Sequence, residues 1–175
     1  AAVERHDLFE AERTAAELEI SALKSPYNNE REKIELLQGL IDLEKGEPSK
    51  AIENLKKACS WVPSEMLSGY METQTLHYYP LALAYFRTGD MTKARAEFER
   101  VTTLTGAKYW FGDLYAKSFY WLGKVAEAQK DKKRAIENYG QFLDLGKDAD
   151  PGTPEVEDAR KRLTALGDGS ASGTR

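Results

Sequence analysis

Few residues of this chain combine the type and the spacing that metal binding would need. His6, Asp7 and Glu10 fall within one predicted helical turn, where an imidazole and two carboxylates could contact a metal ion. A stable site would need two more liganding groups, and charged residues at helical spacing more often form a solvated face. We therefore interpret this group as a solvated helix face. The other histidine, His77, follows an apolar residue and precedes two tyrosines, which indicates a packing or helix-surface role.

Catalytic patterns are equally sparse. Cys59 is the only cysteine, so no disulfide can form within the chain, and its place late in a predicted helix is typical of a small packed hydrophobe. No Ser-His-Asp order, phosphate-binding loop or cysteine pair occurs. We therefore expect a protein that is not an enzyme and that needs no cofactor.

One aromatic-rich stretch could suggest base stacking in a nucleic-acid site. It contains Tyr109, Trp110, Phe111, Tyr115, Phe119, Tyr120 and Trp121. The chain has a net charge of −4 and no basic run, whereas nucleic acid favours a basic surface. Because these aromatic residues recur at helical spacing, core packing is the favoured interpretation, and no nucleic-acid partner is expected.

The composition is that of a water-exposed globular chain. Its 175 residues can form one domain with a core, and 41% hydrophobic with 31% charged residues is an ordinary balance. No apolar run is long enough to insert into a membrane. The cysteine content leaves the compartment undetermined, and we favour the cytoplasm. Because the chain begins at Ala1 rather than at a methionine, we expect a processed or excised segment.

Helical periodicity dominates the sequence, and strand patterns are nearly absent. We predict seven to eight helices and no sheet, with all prolines near helix ends or in loops. The predicted helices are 2–24, 29–45, 48–60, one ending at residue 87, 91–104, 109–128, 131–145 and a capping helix 154–166. The small and polar residues 168–175 are predicted to be disordered.

Alanines repeat at corresponding places in three helix–turn–helix units. They stand at positions 51, 94 and 135, which are 43 and 41 residues apart. Twelve residues before each alanine stands a small residue, and four residues after it stands a large one. These pairs are Gly39 and Leu55, Ala82 and Phe98, and Gly123 and Tyr139. We predict tight turns at Gly46, Gly89 and Lys130, close helix crossings at the small residues, and large residues that fill the gaps between neighbouring units.

This pattern resembles the tetratricopeptide repeat family over roughly residues 30–146. The second unit matches the family motif best, at Tyr78, Leu81, Ala82, Tyr85, Gly89, Asp90, Ala94 and Phe98. The family period is about 34 residues. We expect the extra residues, in SEMLSGYME and GAKYWFGD, to lengthen the first helix of the next unit. A weaker resemblance is to helical repeat regions at the C-terminal ends of bacterial multidomain proteins.

The family resemblance implies an all-α, right-handed solenoid of about three units, at 30–63, 70–106 and 109–146. A single domain over 1–167 would include them, the N-terminal helix and the capping helix. In such a stack the first helices of the units line a concave groove. The resemblance places Leu76, Tyr79, Leu83, Phe86, Arg87, Lys117, Tyr120 and Lys124 in that groove. It therefore implies a scaffold that binds a protein or peptide partner, such as an amphipathic helix or an extended peptide with acidic groups.

Two other interpretations of the groove remain open. The N-terminal helix 2–24 or the lengthened first helices could fill it, or another copy of the chain could contact it. In the first case the chain would be a structural or self-associating segment of a larger, possibly signalling, protein. In the second it would be a homo-oligomer.

Overall fold

Helices are the only regular secondary structure in the computed structural model, which describes residues 8–22, 29–61, 73–147 and 153–168. The helices of this part are α1 (Leu8–Ala22), α2 (Asn29–Glu44), α3 (Pro48–Trp61), α4 (Gln74–Thr88), α5 (Met91–Thr103), α6 (Thr105–Trp110), α7 (Gly112–Ala128), α8 (Lys132–Leu145) and α9 (Pro154–Asp168). The all-α fold class is confirmed. The predicted tail 168–175 lies outside the described residues apart from its first residue, which ends α9.

Two details of the helix prediction are wrong. The segment before α7 does not lengthen that helix but forms the separate helix α6, because the backbone breaks at Phe111 with φ −130° and ψ 47°. Pro80 lies inside α4 rather than near a helix end or in a loop. Its buried ring is held among the packed residues of α4, so tertiary packing outweighs the cost of a proline in a helix. The other predicted insertion, residues 64–72, lies outside the described part.

The helices pack as two compact units, Ala1–Glu97 and Phe98–Arg175, with the boundary inside α5. These are called the first and second units, and each helix–turn–helix pair is called a repeat. In the first unit α2 packs against α1, α3 and α4, and α3 also packs against α4. In the second unit α7 packs against α6, α8 and α9, and α8 also packs against α9. Assignment of residues 1–167 to one domain remains a prediction.

Left-handed residues form the three predicted turns. The φ angles are +74° at Gly46, +83° at Gly89 and +59° at Lys130. In each turn the next residue donates its N–H to the carbonyl five residues earlier, which is the Schellman arrangement. These bonds join Glu47 to Asp42 at 2.8 Å, Asp90 to Tyr85 at 3.0 Å and Asp131 to Ala126 at 2.8 Å. The same backbone device thus reverses the chain three times.

Replacing Lys130 with glycine is expected to stabilise the chain. A non-glycine residue with left-handed backbone pays a steric cost of about 1–2 kcal/mol, part of which the greater freedom of glycine in the unfolded chain offsets. Lys130→Gly should therefore raise the free energy of unfolding by about 0.5–1 kcal/mol, measured by urea denaturation. Lys133→Gly, inside α8, should lower it by a similar amount. A loss of stability in Lys130→Gly would contradict the conformation of this turn.

The repeated spacing of small and large residues reflects contacts inside a repeat. An added Cβ at Gly39 would lie 2.5 Å from Leu55 Cγ, and one at Gly123 would lie 2.6 Å from Tyr139 Cε1. Each pair joins the two helices of one repeat. The prediction of close crossings is confirmed at these two places. That the same large residues also fill gaps between neighbouring repeats stays a prediction.

The first repeat has a buried carboxyl group at a position where the second repeat has a tyrosine. Asp42 stands where the second repeat has Tyr85, and it accepts hydrogen bonds from Gln38 at 3.1 Å and from Asn54 at 2.8 Å. Since each of its two oxygens accepts a hydrogen bond, the first repeat has a hydrogen-bonded group where the second has an aromatic residue.

Candidate functional site

Five of the predicted groove residues lie along one side of α4. Leu76, Tyr79, Leu83 and Phe86 are spaced by three, four and three residues, which places them on a single helical stripe. Leu76 is 37% exposed, Leu83 and Phe86 are half-buried, and Tyr79 is buried. Their accessible members form an apolar surface on one helix. We call Leu76, Leu83, Phe86 and the neighbouring Arg87 the α4 stripe.

Arg87 adds a positive charge at the C-terminal end of this stripe. Its Nη1 donates a hydrogen bond of 2.5 Å to the carbonyl oxygen of Leu43, near the end of α2. The residue is nevertheless exposed, and this bond uses one of the five N–H groups of the guanidinium. The remaining donors can therefore bind a carboxylate on a partner.

Pro80 changes the backbone chemistry beside Leu76. Proline has no N–H to donate, so the Leu76 carbonyl lacks the hydrogen bond that the residue four positions later ordinarily provides in a helix. Leu76 thus combines an exposed apolar side chain with a carbonyl oxygen that can accept a hydrogen bond from elsewhere.

His77 and Glu32 hold α4 in position against α2. The buried imidazole has its Nε2 2.7 Å from Glu32 Oε1, and its Nδ1 is 3.1 Å from the carbonyl oxygen of Thr73. This agrees with the packing role predicted for His77. The histidine positions the helix that carries the stripe.

In the second unit, helix α9 contacts two of the three predicted site residues of α7, Tyr120 and Lys117. Tyr120 is only 5% exposed, and its hydroxyl donates to Asp158 Oδ2 of α9 at 2.6 Å. Lys117 lies 3.8 Å from Glu155, also on α9. The Nζ atom of Lys124 is 3.4 Å from the Tyr120 hydroxyl and 5.4 Å from the centre of its ring. The structure therefore brings these three residues together, and α9 of the same chain contacts Tyr120 and Lys117.

Arg162 connects α9 to the rest of this unit. Its Nε donates to Asp158 Oδ2 and its Nη1 donates to Glu127 Oε2, both at 2.6 Å. Tyr139 donates to the same Glu127 oxygen at 2.8 Å. Because Glu127 of α7 holds Arg162, this side chain does not lie with Arg160 and Lys161 on the exposed face of α9.

Burial and hydrogen bonding shift the titration of this network. Burial raises the pKa of the Asp158 carboxyl, but hydrogen bonds from Arg162 and Tyr120 outweigh it and bring that pKa below its usual value. For the phenols of Tyr120 and Tyr139, burial raises the pKa first, and the bonded carboxylates raise it further. The charged state of Asp158 and the neutral state of both tyrosines are therefore favoured in the folded chain.

Apolar contacts complete the attachment of α9. Val156 and Ala159 are buried in a cluster with Tyr120 and Phe142, and Leu163 packs at its edge. The capping helix therefore has an apolar face that packs on the second unit. The repeat pattern gives no indication that this helix covers Tyr120, although Asp158 and Arg162, spaced by four beside that face, are a signal of it.

The remaining candidate residues are the predicted metal ligands and the single cysteine. His6 and Asp7 lie outside the described residues, within which no group of three or more His, Cys, Asp or Glu side chains could hold a metal ion. Cys59 is half-buried rather than buried, because its neighbour Ala58 takes the fully buried position. Among the described helices, none has the length and apolar content needed to cross a membrane.

The aromatic stretch divides between core and surface. Phe119 and Trp121 pack against the core of the second unit, and Tyr115 meets Phe119 edge to face with ring centres 5.3 Å apart. Tyr109 and Trp110 are exposed instead, contrary to the core prediction. They lie on α6, which the break at Phe111 separates from the packed helix α7.

Comparison with known families agrees with the helix pairs and turns described above. Two tetratricopeptide repeat models match the sequence, one at residues 78–115 and one at residues 117–145. The first match spans the turn at Gly89 and the second spans the turn at Lys130. A comparison with curated proteins gives no match. The matched models, together with the all-helical fold, show tetratricopeptide repeats over residues 78–145 of this chain.

Proposed function

We propose that this chain is a non-catalytic scaffold that binds a partner protein or peptide along the α4 stripe. Tetratricopeptide repeats generally mediate protein–protein interaction and are typically non-catalytic. The observation that carries the more specific proposal is the accessible apolar row of Leu76, Leu83 and Phe86, which ends at the charged Arg87. Apolar anchors of this kind supply most of the binding energy in protein interfaces.

The chemistry of the stripe defines the partner. Apolar side chains of an amphipathic helix or of an extended peptide would pack on Leu76, Leu83 and Phe86. An acidic group on the partner would bind Arg87, and the exposed Lys33 on α2 adds a second positive charge to this unit. The partner is therefore an apolar segment that carries at least one carboxylate.

The second unit supports a different candidate function for its part of the predicted groove. Because α9 covers Tyr120 and contacts Lys117, these residues stabilise the chain's own C-terminal helix. This observation favours a structural role for the α7 residues, in which the chain fills this part of the groove itself. We therefore confine the proposed binding site to the first unit.

Selection from a displayed library of random peptides tests the proposal. Peptides that bind the chain should lose at least about tenfold in affinity for Leu76→Asp, since an anchor residue contributes about 2 kcal/mol or more. Leu145→Asp is a matched control, because Leu145 is 38% exposed and lies on α8. It should bind with unchanged affinity. Peptides that bind both variants equally would contradict the α4 stripe as the binding site, as would a selection that enriches no peptide.

A further inference from the structure

Helix α1 has two apolar faces, and α2 covers one of them. Ala11 and Ala15 are buried against Ile41, and Leu37 and Leu40 of α2 pack around them. The N-terminal helix therefore packs on this apolar face of α2. The small alanines allow a close approach, so this contact fixes which side of α1 faces away from α2.

Large apolar residues lie on that outward side. Phe9 is 77% exposed and Ile20 is 57% exposed, and the exposed residues Arg13 and Ala16 stand between them. The spacings of four, three and four residues align all four on one stripe. We call these four residues the α1 stripe. Large hydrophobes aligned on one exposed helix face indicate a contact surface.

The charges that border the α1 stripe are mainly acidic. Helix α1 contains Glu10, Glu12, Glu17 and Glu19 but only one basic residue, Arg13. At 100° per residue, Glu12 and Glu19 lie on one side of the stripe and Glu10 and Glu17 on the other. Lys45 pairs with Glu12 at 2.5 Å, and Arg13 lies 3.6 Å from Glu17, yet the helix keeps an excess of negative charge.

The acidic borders of the α1 stripe favour one kind of binding partner over two others. A second α1 packed on the first would bring two sets of acidic borders together, and like charges across an interface disfavour association. The surface of an anionic membrane would be repelled for the same reason. A helix with lysine or arginine on both sides of an apolar seam complements both the stripe and its borders.

We propose that the α1 stripe binds a basic amphipathic helix of a partner protein, with Phe9 and Ile20 as the apolar anchors. This surface is separate from the α4 stripe, and the interaction does not depend on the proposed function. The basic side chains of the partner would pair with the glutamates of α1, so salt should weaken the complex.

Two synthetic helical peptides test this proposal with the full chain. Both carry the same leucine seam, and one has lysines and the other glutamates on either side of it. By fluorescence anisotropy the lysine peptide should bind, and high salt should weaken it. Ile20→Asn should reduce its affinity by at least about tenfold, as expected of an anchor. Leu145→Asn, at an exposed leucine of α8, should leave the affinity unchanged.

Several results would overturn the proposal. Equal binding of both peptides would remove the role of charge, and binding that Ile20→Asn and Phe9→Ala leave unchanged would remove the α1 stripe as the site. A loss of binding in Leu76→Asp alone would assign the peptide to the α4 stripe instead. If sedimentation of the free chain shows a dimer that Ile20→Asn dissociates, the occupant is a second copy. Circular dichroism of each variant checks that its helices are intact.

Discussion

Gly123→Ala is expected to lower the free energy of unfolding by about 2 kcal/mol, within the range of overpacked helix crossings. The new Cβ would lie 2.6 to 2.8 Å from three ring carbons of Tyr139. That ring is fully buried, and its hydroxyl is bonded to Glu127, so it cannot move aside without disturbing other contacts. Urea denaturation followed by circular dichroism measures the change.

Gly140→Ala is the matched control for this prediction. Gly140 lies inside α8, and a Cβ there would meet nothing within 4 Å. The better helix propensity of alanine should therefore raise stability by up to about 1 kcal/mol. Opposite signs for the two substitutions are the expected result. If Gly123→Ala also stabilises the chain, Tyr139 is not packed against α7 as described.

Arg162→Met is expected to lower the free energy of unfolding by about 2 kcal/mol. The substitution keeps the apolar stem but leaves Asp158 and Glu127 without their shared cation. Breaking a fully buried ion pair costs about 3–5 kcal/mol, and solvent reduces that figure here because the Arg162 side chain is 34% exposed. Thermal and urea unfolding measure the loss. Arg160→Met, on the exposed face of α9, should change stability by less than about 0.5 kcal/mol.

The pH dependence of Arg162→Met provides a second check on the network. The pKa of Asp158 is lower in the folded chain than its usual value, so its contribution to stability is present above about pH 4. That contribution is lost as the pH falls through the folded pKa. Wild type should therefore lose more stability than Arg162→Met on acidification. Parallel pH profiles for the two proteins would contradict the pairing of Arg162 with Asp158.

The fold could be predicted from sequence where its causes are local. Gly46 and Gly89 lie at the turns between helices because the left-handed backbone there favours glycine. The spacing of Gly123 and Tyr139 indicates a contact inside one helix pair. Pro80 could not be placed correctly, since local preference alone excludes a proline from a helix interior. The helix break at Phe111 could not be predicted either, because Phe111 itself is neither a glycine nor a proline.

The candidate site was harder to predict because the repeat register assigns faces without showing what covers them. It places Tyr79 and Tyr120 at equivalent positions and suggests two exposed anchors, yet both are buried. For Tyr120 the covering element is α9, a helix outside the repeat pattern, whose docking depends on hydrogen bonds from three helices. The α4 residues Leu76 and Phe86 keep the partial exposure that binding requires.

Amide chemical-shift mapping by NMR is the most direct test of the claim that a partner binds the α4 stripe. A library-selected peptide would be titrated into the isotope-labelled full chain. We predict that the largest shifts occur along α4 between Leu76 and Arg87 and at the facing residues of α2. Shifts confined to α7 and α9, around Tyr120 and Asp158, or to the helices α3 and α8, would contradict that claim.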